Sequence, residues 1–483
     1  MPGVYNTRTG LGGFADRVGA MAYALTPFTV ALSTRESILS LITGVPYQHF
    51  NFLHRWTGRI IFLQSFLHTL GWTIVEGNLY RPQPKVYKTF IQEQYIIFGI
   101  VAQLLITFLY VFSTSWAIKW TGYEFFKRTH YAIAILYLGA CWGHWDGLAC
   151  WMIASIGLLG LDKGVRLLRT SLLHIGFRKG KSGLGFQSAT ATIQHFGDAD
   201  DAVIRIDFDL KHGAWQPGSH FYLCFPEISL WQSHPFTPAS LPHGRSNVQH
   251  HTYLIRVRNG ITAKLAKLAP SSPSGESTTS VILTGPYPGS EPAVPTSNLL
   301  AVAGGTGVTS VLPAVLDALS SPQTSTRAID FVWIVKYAHN LSWIGPELSE
   351  LKAQIANGSA ANLCIRIFVT RDAAPSSQAP SLETHAGTVK NEKTTVFSPA
   401  DLTLEQPGFK IVYMDHKHPC VEDIVQSFAD RAALCGGSSL VLGSGPAEIG
   451  TELREAVAVR NFPGKVWKGE GSAEMRLEWD CRS

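Results

Sequence analysis

Apolar residues dominate the first third of the chain in five long stretches, at residues 14–33, 50–75, 92–114, 127–145 and 147–165. Each is long enough to cross a hydrocarbon layer about 30 Å thick as a helix of about 20 residues. The third contains an 18-residue run, 95–112, without a charge, whereas the first is interrupted by Asp16, Arg17 and Pro27. His144-Trp145-Asp146-Gly147 predicts a tight turn between the last two. Trp56, Trp72, Tyr95, Trp116, Trp120, Tyr131, Trp142 and Trp145 gather near the stretch ends, the pattern of an interfacial aromatic belt.

After Arg169 the pattern shortens. AVIRIDFDL, HFYLCFP, TYLIRVR and SVILTG are short runs with turn signals between them, and they predict an antiparallel β-barrel over residues 185–292. From 296 to 483, strand-like LLAVAGG, AIDFVWIV, LCIRIFV and SSLVLGS alternate with helical TSVLPAVLDAL and AEIGTELREAV. That is the βαβ rhythm of a parallel sheet. Two polar, low-complexity stretches, 271–280 and 373–406, read as solvated insertions. The predicted fold class is therefore multidomain: an α-helical transmembrane bundle over 1–170, then the barrel, then an α/β domain.

Charge sharpens this division. Charged residues make up 16% of the 483, against about 25% in average soluble chains. Residues 1–170 hold 14 Lys/Arg and 7 Asp/Glu, so the basic excess lies in the apolar third, where Lys and Arg anchor membrane helices. The soluble part carries no basic stripe, which argues against nucleic acid as a partner. Seven scattered cysteines contain no CxxC pair, so neither a disulfide scaffold nor a zinc site is expected. No apolar run follows a basic start at the N-terminus, so no cleaved signal peptide is expected.

Four histidines stand out within the apolar third. His54 and His68 lie in the second stretch, His130 and His144 in the fourth, and each pair is 14 residues apart. Fourteen residues make close to four helical turns and about 21 Å of rise, so both members of a pair share one helix face. One intervening helix makes the two stretches parallel, which sets His54 level with His130 and His68 level with His144. Two facing imidazoles at two depths suit axial ligation of two b-type haems. Ionisable residues inside a membrane span are costly and point to function. Arg55, Arg59, Lys127 and Arg128 lie beside His54 and His130; they serve equally well as haem-propionate partners or as positive-inside anchors.

The soluble part carries three further signals. His234-Pro235-Phe236-Thr237-Pro238-Ala239-Ser240 follows a strand pair, and Arg256, Gly260 and Thr262 stand just downstream. Gly304-Gly305-Thr306-Gly307-Val308-Thr309 follows a strand and opens a helix, where backbone N–H groups meet phosphate. WIVKYAHNLSW sets Lys336 at a strand end, and Gly443-Ser444-Gly445-Pro446 closes another strand. Together these resemble the ferric reductase and NADPH oxidase superfamily, and the LHRWTGR context of His54 is most similar to fungal-type ferric reductases.

The resemblance implies a transmembrane haem domain over 1–170, an FAD-binding barrel and a nucleotide-binding α/β domain related to ferredoxin–NADP reductase. HPFTPAS matches the HPFTxxS flavin motif. Arg256, Gly260 and Thr262 match the segment that cradles the flavin pyrophosphate. The Gly-rich turn, 70 residues beyond His234, matches the nucleotide site. Lys336 stands where Arg is usual for the 2′-phosphate of NADPH, and Ser444 replaces the Cys of a CGP motif beside the nicotinamide. Gly285-Pro286-Tyr287 matches GPYG with the final Gly displaced. Trp479 is the nearest candidate for the aromatic that covers the flavin. Members of the family usually carry a longer extracellular N-terminus and one or two further helices ahead of 14–33.

The implied activity is metalloreduction: NADPH to FAD, to an inner haem (His54/His130), to an outer haem (His68/His144), to extracellular ferric or cupric chelates. The implied setting is a multi-pass protein of the plasma membrane with cytosolic FAD and NADPH domains. Lys119, Lys127, Arg128, Lys163, Arg166 and Arg169 then fall inside, while Arg81, Lys85 and Lys88 fall outside. Two other readings stand beside it. One is a superoxide-generating NADPH oxidase on the same scaffold; the other is a non-catalytic membrane scaffold derived from such an enzyme.

Overall fold

The computed structural model describes residues 2–177, 184–197, 201–244, 246–269, 277–289, 298–320, 327–373, 406–461, 464, 467 and 474–481. The chain divides into two compact units, residues 1–169 and 170–483.

The first unit is helical. The apolar stretches become α1 (Pro2–Ala31), α3 (Tyr47–Ile74), α5 (Gln94–Phe112), α7 (Tyr123–His144) and α8 (Ala149–His174), and three short helices intervene: α2 (Ile38–Thr43), α4 (Lys85–Phe90) and α6 (Ser115–Thr121). The first stretch, despite Asp16 and Pro27, folds as one 30-residue helix. Asp16 is partnered, since Trp72 Nε1 donates to its carboxylate at 2.9 Å. α1 packs on α3, and α5 on α7, around a small core of Ala22, Tyr23, Ile61, Ile106, Tyr137, Leu138 and Met152. Much of what remains apolar faces outward, including Leu104, Trp116, Trp120 and Leu167. That is the surface expected of helices solvated by lipid. Among the described residues, two helical segments qualify by length and composition as membrane spans, Gln94–Phe112 with mean hydropathy 2.3 and Asp146–His174 with 1.4. Buried Asp162 accepts the backbone N–H groups of Arg35 and Glu36 at 2.8 and 2.9 Å and pairs with Arg166 at 2.6 Å, which closes the α1–α2 connection.

Among its described residues the second unit holds two six-stranded sheets and a two-stranded hairpin. After the hairpin β1 (Ile175–Phe177) and β2 (Leu184–Phe186) come β3 (Ala189–Phe196), β4 (Val203–Lys211), β5 (His220–Cys224), β6 (Ser233–Phe236), β7 (Val248–Arg256), the short α9 (Ile261–Ala266) and β8 (Ser277–Tyr287). They pair antiparallel in the order β6-β5-β8-β3-β4-β7. Alternate residues of these strands, such as Ile193, Ile206, Phe221, Leu223, Tyr253 and Leu283, fill the interior, as a period of two requires. Residues 277–280, expected in a solvated insertion, instead start β8 and pair with β3. Thr and Ser on a half-buried ladder satisfy the strand pattern that composition alone concealed. The rest of that stretch (271–276), and 374–405 of the second, lie outside the described residues.

The remaining elements are β9 (Asn298–Gly304), α10 (Val308–Ser320), β10 (Ile329–Val335), α11 (Gly345–Ala356), β11 (Leu363–Val369), β12 (Phe409–Tyr413), α12 (Val421–Cys435), β13 (Ser439–Gly445), α13 (Ala447–Arg460) and β14 (Met475–Cys481). All strand pairs are parallel, in the order β12-β11-β10-β9-β13-β14. β9, β10 and β13 are buried at every residue, because helices cover both faces of a parallel sheet. The strand order reverses between β9 and β13, so the crevice beyond their carboxyl ends is the expected ligand position.

Candidate functional site

In the first unit the four histidines meet as the spacing predicts. The ring centres of His54 and His130 lie 6.2 Å apart, and those of His68 and His144 lie 5.9 Å apart. A metal between two imidazoles takes about 2 Å on each side, plus about 1.2 Å from nitrogen to ring centre, so up to about 6.4 Å in all. Both gaps fit one iron. Each ring is also held at Nδ1. His54 donates to Thr29 O at 2.8 Å, His68 to Ala15 O at 2.8 Å and His144 to Tyr95 O at 2.7 Å, while His130 Nδ1 faces Ser113 Oγ at 3.4 Å. A carbonyl at Nδ1 requires the proton there and leaves the Nε2 lone pair for a metal. Among the described residues no group of three or more His, Cys, Asp or Glu gathers elsewhere as a metal site.

Sequence reasoning missed one residue of this arrangement. Tyr137 is seven residues from both His130 and His144, hence two turns from each on the same face, and it is buried. Ile61 holds the equivalent midpoint between His54 and His68 and is buried as well. The signal was the midpoint of the histidine spacing.

In the barrel, His234-Pro235-Phe236 forms β6, paired with Leu223, Tyr222 and Phe221 of β5. Thr237 is buried just beyond. Ala239 N–H donates to Thr252 O at 2.7 Å, and Ser240 Oγ donates to His250 O at 2.8 Å while accepting Thr252 N–H at 3.2 Å. The motif is thus tied to β7, and the Ser240 oxygen keeps one acceptor position. Arg256 lies four residues along β7 from Thr252, on the same face, about 13 Å away. Gly260, at φ 90°, turns the chain into α9. The Thr262 hydroxyl closes that turn, donating to Arg258 O and accepting Arg258 N–H, both at 2.8 Å. Thr262 therefore shapes the loop through its own backbone contacts. On the same face of β7, His250 sits between Asp207 (3.6 Å) and Asp209 (2.8 Å). The Asp207 carboxylate first, then Asp209, holds its imidazole protonated up to about 9.

In the α/β domain, Gly304 to Gly307 form the turn after β9, and Val308 and Thr309 begin α10. Gly305 adopts φ 55°, a left-handed conformation that favours glycine, and buried Trp333 braces it by donating Nε1–H to Gly305 O at 2.9 Å. Ser444-Gly445-Pro446 lies directly beside this turn. A Cβ on Gly304 would stand 2.7 Å from Pro446 Cδ, and one on Gly307 would overlap Ser444 O. The two motifs thus form one crevice at the strand-order reversal. Ser444 is fully buried, and its Oγ and that of Ser310 reach Asp480 at 3.4 and 3.5 Å. Asp480 and Ser310 were not anticipated, since their proximity comes from β14 pairing with β13.

Lys336 follows β10, and its carbonyl accepts Arg371 N–H at 2.8 Å. Arg371 thereby brings a second cation to this rim, with its guanidinium donating to Tyr337 Oη at 3.3 Å. Trp479, on β14, pairs with Gly443 of β13, and a Cβ on Gly443 would lie 2.6 Å from its ring, which also packs on Gly450 of α13. The ring fills space left by these two glycines and lies partly buried against the core beside α13.

Comparison with known proteins follows these boundaries. The family profile described as "Ferric reductase like transmembrane component" matches residues 18–141. That segment includes His54, His68 and His130 and stops three residues before His144. "FAD-binding domain" matches 165–291, and "Ferric reductase NAD binding domain" matches 296–458. Ferric reductase transmembrane component 3 of Saccharomyces cerevisiae is 27% identical over 92% of this chain and 58% of its own length. Ferric/cupric reductase transmembrane component 2 of the same yeast is 26% identical over 92% and 58%. A probable ferric reductase transmembrane component of Candida albicans is 27% identical over 70% and 47%. The chain thus spans less than two thirds of the length of these relatives. With transmembrane, flavin-binding and nucleotide-binding family profiles matching in turn between residues 18 and 458, and ferric reductase relatives aligned along 92% of it, the chain belongs to the ferric reductase family.

Proposed function

We propose that this chain carries electrons from cytosolic NADPH, through FAD and two b-type haems, to ferric or cupric chelates on the opposite side of the plasma membrane. The observation that carries the reading is the pair of facing histidines at two depths, each gap sized for one iron. His54 with His130 would hold the inner haem, and His68 with His144 the outer. When bound, the flavin supplies the step from a hydride to single electrons, and haem iron the passage of those electrons.

The protein's own part is binding and orientation. Carbonyls of Thr29, Ala15 and Tyr95 keep the proton of three of the imidazoles on Nδ1. Tyr137 fills the level between the two pairs. Thr237 and Ser240 line the flavin position, with Arg256 and Gly260 on the side of its pyrophosphate. Gly304 to Gly307 receive the nucleotide phosphates at the start of α10. Ser444, Gly445 and Pro446 border the nicotinamide, and Lys336 takes the 2′-phosphate. Lys119, Lys127, Arg128, Lys163, Arg166 and Arg169 face the cytosol in this orientation.

The test is a reduced-minus-oxidised spectrum of the purified chain on anaerobic addition of NADPH, followed by a ferric chelate. Two low-spin b-type haems that reduce and then reoxidise support the proposal. A chain without haem sinks it and leaves a non-catalytic scaffold. Acceptor reduction abolished by superoxide dismutase would identify an oxidase instead.

A further inference from the structure

We infer that Gly19 and Gly99 are positioning residues for the outer ligand pair, an inference that rests on the bis-histidine reading of His68 and His144. His68 lies against α1, with Nδ1–H donated to Ala15 O at 2.8 Å. His144 lies against α5, with Nδ1–H donated to Tyr95 O at 2.7 Å. In both cases the acceptor is a carbonyl within a helix, already bonded to the N–H four residues on. An imidazole can reach it only from the outer side of the helix, across the place where the side chain four residues on would stand.

In both cases that residue is glycine. Ala15 is followed four residues later by Gly19, and Tyr95 by Gly99. A Cβ on Gly19 would lie 2.5 Å from His68 Nδ1, and one on Gly99 would lie 2.6 Å from both Nδ1 and Cε1 of His144. Real Cβ atoms essentially never approach below 3.0 Å. The same device thus occurs on two helices in unrelated sequence contexts. The helix backbone itself orients the ligand, because the glycine opens a path to it.

The inner pair is built differently. His54 bonds Thr29 O two residues before α1 ends at Ala31, and the residue four positions on is Ser33, whose hydroxyl donates to Val30 O at 2.8 Å. His130 faces Ser113 Oγ, which itself donates to Leu109 O, four residues earlier, at 2.5 Å. A hydroxyl therefore stands at the inner level where a glycine leaves the carbonyl open at the outer one. A methyl group on Gly19 or Gly99 must push the ring off its carbonyl, releasing both its rotation and the proton on Nδ1. The effect belongs to the outer pair alone. Alanine also favours the helix over glycine, so the substitutions do not weaken α1 or α5 locally.

The experiment uses the full chain in detergent, with haem content, low-spin ferric EPR signals and midpoint potentials measured for the parent, Gly19→Ala and Gly99→Ala. The two signals are first assigned with His54→Ala and His68→Ala. Gly13→Ala and Gly139→Ala serve as controls, since a Cβ at either meets nothing within 4 Å. The expected result is loss of one of two haems, or a displaced EPR signal and potential, confined to the outer haem, with the inner signal and the controls parental. A variant in which both signals stay parental removes its glycine from the assignment. Loss of both signals together, or an outer-haem change in the controls, also overturns it by pointing to general packing. A parent without two haems overturns the underlying reading, and this inference with it.

Discussion

Arg205 joins the two sheets of the second unit, and its loss should slow hydride transfer without emptying either cofactor site. From β4 of the barrel it donates to Asp207 at 2.9 Å, to both carboxylate oxygens of Glu347 on α11 at 3.0 and 2.8 Å, and to Trp343 O at 3.0 Å. Removing one partner of a buried pair costs about 3–5 kcal/mol. Here the side chains of Arg205, Asp207 and Glu347 keep 10%, 18% and 21% of their exposure, so water recovers part of that and about 2 kcal/mol is expected. Arg205→Ala then weakens the arrangement that brings the Gly-rich turn toward the barrel. Single-turnover bleaching of the flavin by NADPH, at equal flavin occupancy, should fall by up to about 30-fold, the equivalent of 2 kcal/mol. A double-mutant cycle with Glu347→Ala should show a coupling of about 1.5 kcal/mol in the same rate. Rates within twofold of the parent, with coupling below about 0.5 kcal/mol, would refute the view that this clamp holds the two sheets in register for transfer.

Other consequences are simpler to check. Lys336→Ala should lower the NADPH/NADH ratio of kcat/KM by about tenfold to a hundredfold, as loss of a charged phosphate contact worth about 1.5–3 kcal/mol; an unchanged ratio assigns the phosphate elsewhere, with Arg371 the next residue to test. Gly307→Ala, whose Cβ would overlap Ser444 O, should raise the KM for NADPH at least tenfold by forcing apart the two turns of the crevice, for about 1–3 kcal/mol of overpacking; a parental KM would mean the turns separate freely. His250 is held protonated up to about 9 in the folded barrel, above its ordinary 6.5. Its stabilisation is complete below about 6.5 and is lost as pH rises through about 9. Flavin-release temperature should therefore fall between pH 7 and 10 more steeply in the parent than in His250→Gln, and equal slopes would discard the His250–Asp207–Asp209 cluster as a stabilising element.

Much of this protein was determined by local pattern. Hydrophobic length set the five long helices, because a helix that satisfies its own backbone hydrogen bonds needs only apolar side chains to lie in lipid. The 14-residue spacing set the histidine pairing, because helical phase is a property of one segment and the short connections left one parallel arrangement. Period-two alternation and the βαβ rhythm separated the barrel from the α/β domain for the same reason. What lay beyond the sequence depends on contacts between distant segments. Nothing in a run of residues shows that Ala15 and Tyr95 present their carbonyls to His68 and His144, or that Gly19 and Gly99 clear the way, since the partners lie 53 and 49 residues apart. The packing of Trp479 on Gly443 and Gly450 is equally hidden in the sequence, since it comes from the pairing of β14 with β13 and from α13 lying beside them. Asp480 meets Ser444, and Arg371 meets Lys336, through parallel strand register, which is fixed by packing on both faces of the sheet and leaves no signature along the chain.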